Sequence, residues 1–220
     1  MKKQSPFQLL LAAALVASPF LYLATVWIDM PETIPLHWGI DGKPNRFGAK
    51  SELLGILIFL EAIAVGVYLL LTNISKIDPK KTAAYAETTM SKIALAELVL
   101  ISGMSLFIIH STLQTALFND RIIFIALGLF FAFMGNLMHS IKPNYFAGIR
   151  TPWTLNNDDN WRKTHQFGSK LWFAGGIAIT IFALFLPMQI MIFAMMAIIL
   201  IMTVVPIGYS YQLFRQSERH

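Results

Sequence analysis

Long apolar blocks alternate with short polar stretches along this chain. Residues 7–27 hold no charged residue, and residues 53–71 hold one, Glu61. Blocks of about 18 or more apolar residues are typical of membrane-spanning helices, because ~20 residues cross a hydrocarbon core about 30 Å thick. The last apolar run, residues 171–207, would form a helix of about 55 Å, so it favours two spans hinged at Pro187. The pattern predicts six transmembrane helices, at about residues 7–28, 52–72, 92–118, 121–141, 170–187 and 189–211.

The composition supports a single integral membrane domain over residues 1–220. Charged residues make up 13% of the chain and hydrophobic residues 56%, whereas soluble chains carry roughly 25% charged residues. The chain has no cysteine, which excludes disulfides and thiolate chemistry. A net charge of +5 can indicate nucleic-acid binding, but the placement of the basic residues fits an anionic membrane leaflet better. We therefore expect the protein to have membrane lipid as a partner and to bind no nucleic acid directly.

The basic residues predict how the chain is oriented. With the N-terminus in the cytoplasm, all but four of the 17 Lys and Arg residues fall on the cytoplasmic side, as the positive-inside rule requires. The exceptions are Lys43, Arg46, Lys50 and Arg121. The predicted fold is an all-α membrane protein with both termini inside. It carries a structured extracytoplasmic loop at residues 29–50 and a structured cytoplasmic loop, here called the signature loop, at residues 142–169.

Two ionisable residues lie deep in the predicted spans. Glu61 is near the middle of the second span, where a charged side chain costs roughly 2.5–3.5 kcal/mol or more. Counted from the outer ends of their helices, Glu61 and His110 reach similar depths, so we expect a buried hydrogen-bonded pair. The alternatives are a proton or ion relay and, with His37, a divalent metal site.

Other polar and small residues suggest helix contacts. Glu97, Asn136 and His139 are expected to form a second polar layer at the cytoplasmic edge, unless Glu97 pairs with a cytoplasmic Lys or Arg. Small side chains let helix backbones approach closely in lipid. The sequence offers two such pairs for packing, Gly128 with Gly135 and Ala62 with Gly66.

The residues of the signature loop predict a defined conformation rather than a flexible linker. Gly148 permits positive φ or close backbone approach, and Arg150 can offer its planar fork to a carboxylate, a phosphate or backbone carbonyls. Trp153 is expected to pack on the bilayer edge, and Asn157 to cap a helix. From there Trp161, His165, Gly168 and Trp172 fall at helical spacing, which predicts a short interfacial helix before the fifth span. A stiff connector that seals the inner face is the alternative.

The outer loop is punctuated by turn residues. Pro31 and Pro35 force extended backbone before them, and Asp41-Gly42 is a turn signal. His37 and Trp38 are its candidate contact residues, although a tryptophan at this level is also typical of the interfacial aromatic belt.

Both loops resemble the SdpI family of bacterial membrane proteins. The outer loop carries MPETIPLHW followed by DGKPNRFGAK, and the signature loop carries KPNYFAGIRTPWTL followed by WRKTH. The family is typified by an immunity protein against a secreted peptide toxin. Gln166 and Phe167 depart from its pattern, in which a basic residue and Leu are commoner, and NNDDN replaces a helix start led by Ser or Asp.

The resemblance implies toxin immunity in a bacterial cytoplasmic membrane. In some members it also implies a receptor that holds a small cytoplasmic repressor at the bilayer. The signature-loop residues that it implicates are Gly148, Arg150, Thr151, Pro152, Trp153, Thr154, Trp161 and His165. The outer-loop residues are Pro35, His37, Gly42 and Lys50.

The residues themselves leave two other functions open. A proton- or ion-coupled transporter could use Glu61 and His110, and a metal-dependent membrane enzyme could use a metal held by these two residues and His37. The sequence shows no nucleophile–base motif, phosphate-binding loop or dinucleotide fingerprint. We therefore expect a non-enzymatic protein without a cofactor.

Overall fold

Six long apolar helices form the body of the protein. The structure, a computed structural model, describes residues 4–40, 43–80, 87–113 and 121–218. Six helices in these ranges are long and apolar enough to cross a membrane, which agrees with the predicted number. The long helices are α1 (Pro6–Val26), α2 (Lys50–Thr72), α4 (Glu87–Leu113), α5 (Arg121–Met138), α7 (Asp158–Phe185) and α8 (Met188–Ser217). The shorter elements are strands β1 (Thr33–Trp38) and β2 (Pro44–Ala49) and helices α3 (Ile74–Ile77) and α6 (Pro152–Asn156).

Helix α7 begins and ends where the sequence predicts, but it is one helix. Asn157 caps it by accepting the N–H of Asn160 at 2.9 Å, and Asp158 and Asp159 occupy the first turn, where negative charge favours the positive end of the helix dipole. Pro187 separates it from α8. The predicted interfacial helix is present as the first part of α7, which continues without a break into the fifth span and has 28 residues, about 42 Å.

The closest helix pair is α5 with α7, and glycines make it close. A Cβ added to Gly128 would lie 2.8 Å from the carbonyl oxygen of Gly176, and one added to Gly135 would lie 2.3 Å from the backbone nitrogen of Phe173. The predicted packing role of Gly128 and Gly135 is confirmed. The prediction for Ala62 and Gly66 is wrong within this chain: Ala62 is exposed, and no described atom lies within 4 Å of a Cβ on Gly66.

The two loops lie at opposite ends of the bundle. Ile34 of β1 is fully buried with Leu23, Leu53, Leu57 and Ile109, which docks the strands on α1, α2 and α4. We call this the hairpin end. A second buried cluster contains Tyr68, Ile93, Leu137, Ile141 and Trp161, and it lies beside the signature loop at what we call the loop end.

Both described chain ends lie at the loop end. Tyr68 donates a hydrogen bond to Gln4 at 3.1 Å, and Trp153 of the signature loop donates to Ser210 of α8 at 2.6 Å. This agrees with an even number of spans. The sidedness of the two ends stays a prediction.

The outer loop forms a β-hairpin that the sequence analysis did not predict. Strands β1 and β2 pair antiparallel, with Thr33 opposite Ala49 and Ile34 opposite Gly48, and the register shifts on both sides of His37. The predicted turn residues Asp41 and Gly42 lie outside the described residues.

Candidate functional site

A buried asparagine folds the start of the signature loop. Asn144 is 0% exposed, and its Oδ1 accepts the N–H groups of Phe146 and Ala147 at 2.8 and 2.7 Å. Its Nδ2 donates to the carbonyls of Lys142 and Ala147 at 2.8 and 2.9 Å. The side chain thus uses both its acceptor sites and both its donors on the backbone. The sequence analysis did not select Asn144, although asparagine commonly bonds the backbone two residues on.

Gly148 and His165 lock the next part of the loop to α7. Gly148 has a φ of +110°, and a Cβ there would lie 2.4 Å from Nε2 of His165, so positive φ and close approach are both confirmed. The Nε2 atom of His165 accepts the N–H of Ile149 at 3.0 Å, and Nδ1 donates to the carbonyl of Trp161 at 2.8 Å. This pattern requires a neutral imidazole with its hydrogen on Nδ1.

Trp161 lies beneath this part of the loop. It is 1% exposed, its indole N–H donates to the carbonyl of Ile141 at 2.8 Å, and its ring stacks on His165 with centroids 4.0 Å apart. A Cβ on Gly168 would lie 2.9 Å from the side chain of Ile149. Trp161, His165 and Gly168 therefore share one face of α7, as predicted, and this face packs against the signature loop. Trp161 and His165 are buried against the loop and position it; partner contact by these two residues stays a prediction.

The segment Thr151–Thr154 forms a reciprocal helix cap. The N–H of Thr154 donates to the Thr151 hydroxyl at 3.2 Å, and the N–H of Thr151 donates to the Thr154 hydroxyl at 2.9 Å. Pro152 occupies the first position of α6, where its missing N–H costs nothing. Both threonines are buried, so they also shape the loop.

Trp153 docks on α8, which corrects the expectation that it packs on the bilayer edge. Its indole N–H donates to the hydroxyl of Ser210 at 2.6 Å, and its ring stacks on Phe214 at 5.9 Å and lies 5.3 Å from the ring of Tyr211. The backbone carbonyl of Ser210 also accepts from Asn160 at 2.9 Å. Helix α8 supplies both the acceptor and the aromatic surface that an indole needs.

We expect Trp153→Ala to loosen the loop from α8. Losing one hydrogen bond and the ring contacts removes roughly 2 kcal/mol, which raises the open population about 30-fold. Trypsin cleavage after Arg150 in the detergent-solubilised protein should accelerate in proportion. Trp153→Phe keeps most of the ring contacts and should be cleaved at an intermediate rate. Unchanged cleavage of the alanine variant would contradict the docking.

Arg150 is exposed at the edge of a cavity. Its Nη1 donates to the carbonyl of Tyr145 at 2.7 Å, one of the three acceptor types expected for it. No described residue forms an ion pair with Arg150. The cavity beside it, about 340 Å³, is bounded by the signature loop and by residues of α4, α5, α7 and α8. Arg150 is therefore available to a partner in a way that Trp161 and His165 are not.

Lys80 also holds the signature loop, although the sequence analysis did not select it. Its Nζ donates to the carbonyl of Leu155 and lies 6.0 Å from the ring centre of Tyr145. This contact joins the connection between α3 and α4 to the loop. A lysine between two predicted spans is typical of the positive charge on the cytoplasmic side of a membrane protein. The sequence pattern therefore did not predict the contact between Lys80 and the loop.

The predicted pair of Glu61 and His110 is wrong. Glu61 is 2% exposed and accepts hydrogen bonds from Ser102 at 3.1 Å and Ser105 at 2.9 Å. His110 lies roughly 8–12 Å farther along α4, where its Nδ1 is 3.4 Å from the hydroxyl of Tyr22. Counting from the helix ends misplaced the pair because the apolar runs do not fix those ends: α2 begins at Lys50, and the described part of α4 ends at Leu113.

The suggested metal site is also not formed by these residues. His37 contacts Asn45 at 2.6 Å on the hairpin, away from both Glu61 and His110. Within the described ranges no three His, Cys, Asp or Glu side chains come close enough to hold a metal ion. The transporter and metal-enzyme hypotheses therefore lose the residue groups on which they were based.

The expected second polar layer is not assembled either. Asn136 and His139 are exposed, because α5 turns Gly135 rather than Asn136 towards α7. Oε2 of Glu97 is buried and has no hydrogen-bond partner among the described residues. The alternative, an ion pair of Glu97 with a Lys or Arg, is likewise not found in the described part of the chain.

At the hairpin end, Lys50 fastens the strands to α1. Its Nζ lies 2.9 Å from Oε1 of Glu32, donates to the carbonyl of Trp27 at 3.3 Å, and lies 5.0 Å from the ring centre of Trp27. His37 is exposed, and Pro35 is half-buried opposite Phe47. The structure thus gives Lys50 a positioning role and leaves His37 accessible, while Gly42 is outside the described residues.

Comparison with known proteins assigns the chain to a family. Residues 140–210 match the SdpI/YfhL protein family, and residues 14–60 match a domain of unknown function, DUF1648. A protein of Bacillus subtilis named "Immunity protein SdpI" is 25% identical over 207 residues, which cover 94% of this chain and 96% of that protein. The chain belongs to the SdpI/YfhL family. An "Uncharacterized protein" of Archaeoglobus fulgidus is 30% identical over 45% of this chain and 67% of its own length. No solved structure matches the chain.

The SdpI/YfhL match includes the residues of the signature loop and most of their contacts. It contains the whole signature loop with Asn144, α6 and α7, and it ends at Ser210, the residue of α8 to which Trp153 donates. The DUF1648 match contains the hairpin and Lys50. Each family segment therefore contains one of the two loops of this multi-pass membrane protein, together with parts of the helices that flank it.

Proposed function

We propose that this SdpI/YfhL-family protein confers immunity to a secreted antimicrobial peptide. The observation that carries the proposal is the alignment with the Bacillus subtilis protein named "Immunity protein SdpI". It covers 94% of this chain and 96% of that protein, so the likeness extends over the whole length rather than one shared segment.

The orientation that we propose follows the basic residues. The described cations at the hairpin end are Lys43, Arg46, Lys50 and Arg121. Those at the loop end are more numerous: Lys76, Lys80, Lys92, Lys142, Arg150, Arg162, Lys163, Lys170 and Arg215. The positive-inside rule then faces the signature loop to the cytoplasm of a bacterial cell and the hairpin outwards. In this orientation the hairpin, with exposed Phe47 and His37, meets the peptide first.

At the loop end we propose a docking site for a small cytoplasmic repressor. A groove of about 290 Å³ runs between the start of α7 and the end of α8, lined by residues that include Asn157, Asp159, Lys163, Gln216 and Ser217. These polar side chains stand next to the Trp153–Ser210 contact. A movement of α8 in response to peptide would therefore change the groove and the loop together.

Binding, not catalysis, is the chemistry that this site supports. The loop histidine, His165, uses both ring nitrogens on backbone groups, so it holds the loop instead of offering a free base. Arg150 supplies a fixed positive charge with several free N–H donors, which suits recognition.

The decisive experiment is survival of a peptide-toxin-sensitive bacterial strain that expresses this protein. The wild-type protein should protect the strain. Arg150→Ala should insert into the membrane at the wild-type level but should not protect the strain. Arg150 is exposed, and we assign it a role in binding a partner rather than in folding. Lys170→Ala, which removes another exposed positive charge at the loop end, should still protect. Lack of protection by the wild-type protein would refute immunity, and reduced expression of Arg150→Ala would refute its assignment to binding.

A further inference from the structure

The cavity beside Arg150 has two chemically different parts. Its walls come from apolar side chains of membrane-spanning helices, among them Met134 and Met138 of α5, Trp172 of α7 and Met202 and Ile207 of α8. Its rim comes from Gly148, Arg150 and Thr151 of the signature loop. A volume of about 340 Å³ lies within the range of small-molecule sites. Methionine side chains adapt readily to the shape of a guest.

Arg150 is the charged group at this rim. Its guanidinium carries five N–H donors, and a hydrogen bond to the carbonyl of Tyr145 occupies Nη1. Within the described residues no carboxylate lies within ion-pair distance of it. The planar fork of arginine matches phosphate oxygens in bidentate geometry. The rim can therefore accept an anionic group without displacing an existing ion pair.

The position of the cavity selects the class of ligand. The walls belong to helices that cross the hydrocarbon core, whereas the rim belongs to the loop, so the cavity extends from acyl-chain depth to headgroup depth. A free inorganic ion would leave the apolar walls uncovered. A zwitterionic headgroup carries its own cation, which competes with Arg150 for the phosphate. These features favour an amphiphile with one apolar chain and a net negative head.

We propose that this cavity binds an anionic phospholipid, with its phosphate on Arg150 and one acyl chain between α5 and α8. The bound lipid joins the signature loop to both helices and makes the loop conformation sensitive to the charge of the surrounding leaflet. The proposal concerns lipid binding and holds whether or not the protein confers immunity.

The test uses the purified full-length protein in a neutral detergent and native mass spectrometry with added lipid. Phosphatidylglycerol, phosphatidylcholine and inorganic phosphate are titrated separately. The wild-type protein should retain phosphatidylglycerol in preference to phosphatidylcholine. Arg150→Gln should bind phosphatidylglycerol about tenfold more weakly, as expected for loss of a charge-assisted contact. Arg162→Gln, which removes an exposed arginine outside the cavity, should bind like the wild type.

A second variant separates the cavity from general surface charge. Ile207→Trp fills the cavity while leaving Arg150 in place, so it should also lose phosphatidylglycerol. Circular dichroism confirms the fold of each variant. Arg150→Met, which keeps a long side chain without the charge, replaces the glutamine variant if that variant does not fold. Equal binding of the two lipids by the wild type would overturn the proposal. Undiminished binding of phosphatidylglycerol by the Arg150 variant or by Ile207→Trp would also overturn it. So would displacement of the lipid by inorganic phosphate at the same concentration.

Discussion

Replacing Trp161 with alanine is expected to lower stability more than any other single change in the signature loop. Truncating a fully buried tryptophan typically costs about 3–5 kcal/mol, and Trp161 is 1% exposed. The substitution also leaves the carbonyl of Ile141 without the indole N–H that now bonds it at 2.8 Å. For a chain of this length such a loss lowers the thermal midpoint by roughly 10 °C. Thermal unfolding in detergent micelles measures it.

Two further variants separate the causes of this effect. Trp161→Phe keeps most of the ring and removes the N–H donor, so it should cost only about 1 kcal/mol. Phe47→Ala removes an aromatic ring that is 59% exposed on the hairpin, and such surface changes usually stay within about 0.5 kcal/mol. Similar midpoints for Trp161→Ala and Phe47→Ala would contradict the role of Trp161 as the base of the loop.

The effect should extend to the loop itself, because Trp161 also holds His165. The two rings stack at 4.0 Å, and the carbonyl of Trp161 fixes the orientation of the imidazole whose Nε2 accepts the N–H of Ile149. Removing the indole takes away the ring that stacks on the imidazole but keeps this carbonyl, so the contact with Ile149 is weakened rather than lost. The signature loop is thus a packed unit in which buried neighbours hold the exposed Arg150 in position.

The helices could be predicted because their signals are local. The length of each apolar run gives a span directly, and Pro187 divides the last run because proline cannot continue a helix. Asn157 was identifiable as a cap from its residue type and the two aspartates after it. Gly128 and Gly135 were identifiable because small residues one heptad apart share a helix face.

The contacts between elements were harder to predict because they depend on placement in space. An indole at a membrane edge is satisfied by the interface or by another helix, and the sequence does not show that Ser210 and Phe214 lie under Trp153. Glu61 accepts hydrogen bonds from two serines, and serines in an apolar helix do not stand out as candidate partners. The hairpin was missed because Pro35 interrupts β1 and because β2 has no buried position, so β2 lacks the apolar alternation that marks a strand.

The contact between α5 and α7 leads to a prediction of comparable size at Gly176. A Cβ there would lie 2.3 Å from the backbone nitrogen of Ala132 and 2.5 Å from the carbonyl oxygen of Gly128. These are backbone atoms, which cannot rotate aside, so Gly176→Ala must push the two helices apart. We expect a loss of about 2–3 kcal/mol from overpacking and a lower thermal midpoint. The loop end should loosen as well, because Ser169 of α7 donates to the carbonyl of Gly135 of α5 at 2.7 Å.

Gly66→Ala provides the matched control because it makes the same chemical change in another long helix. No described atom lies within 4 Å of a Cβ on Gly66, so alanine there meets no obstacle and gains up to about 1 kcal/mol of helix propensity. Its midpoint should stay the same or rise, while that of Gly176→Ala falls. Helix propensity favours alanine at both sites and cannot produce opposite signs. A fall of equal size in both variants would show that backbone proximity does not hold α5 and α7 together.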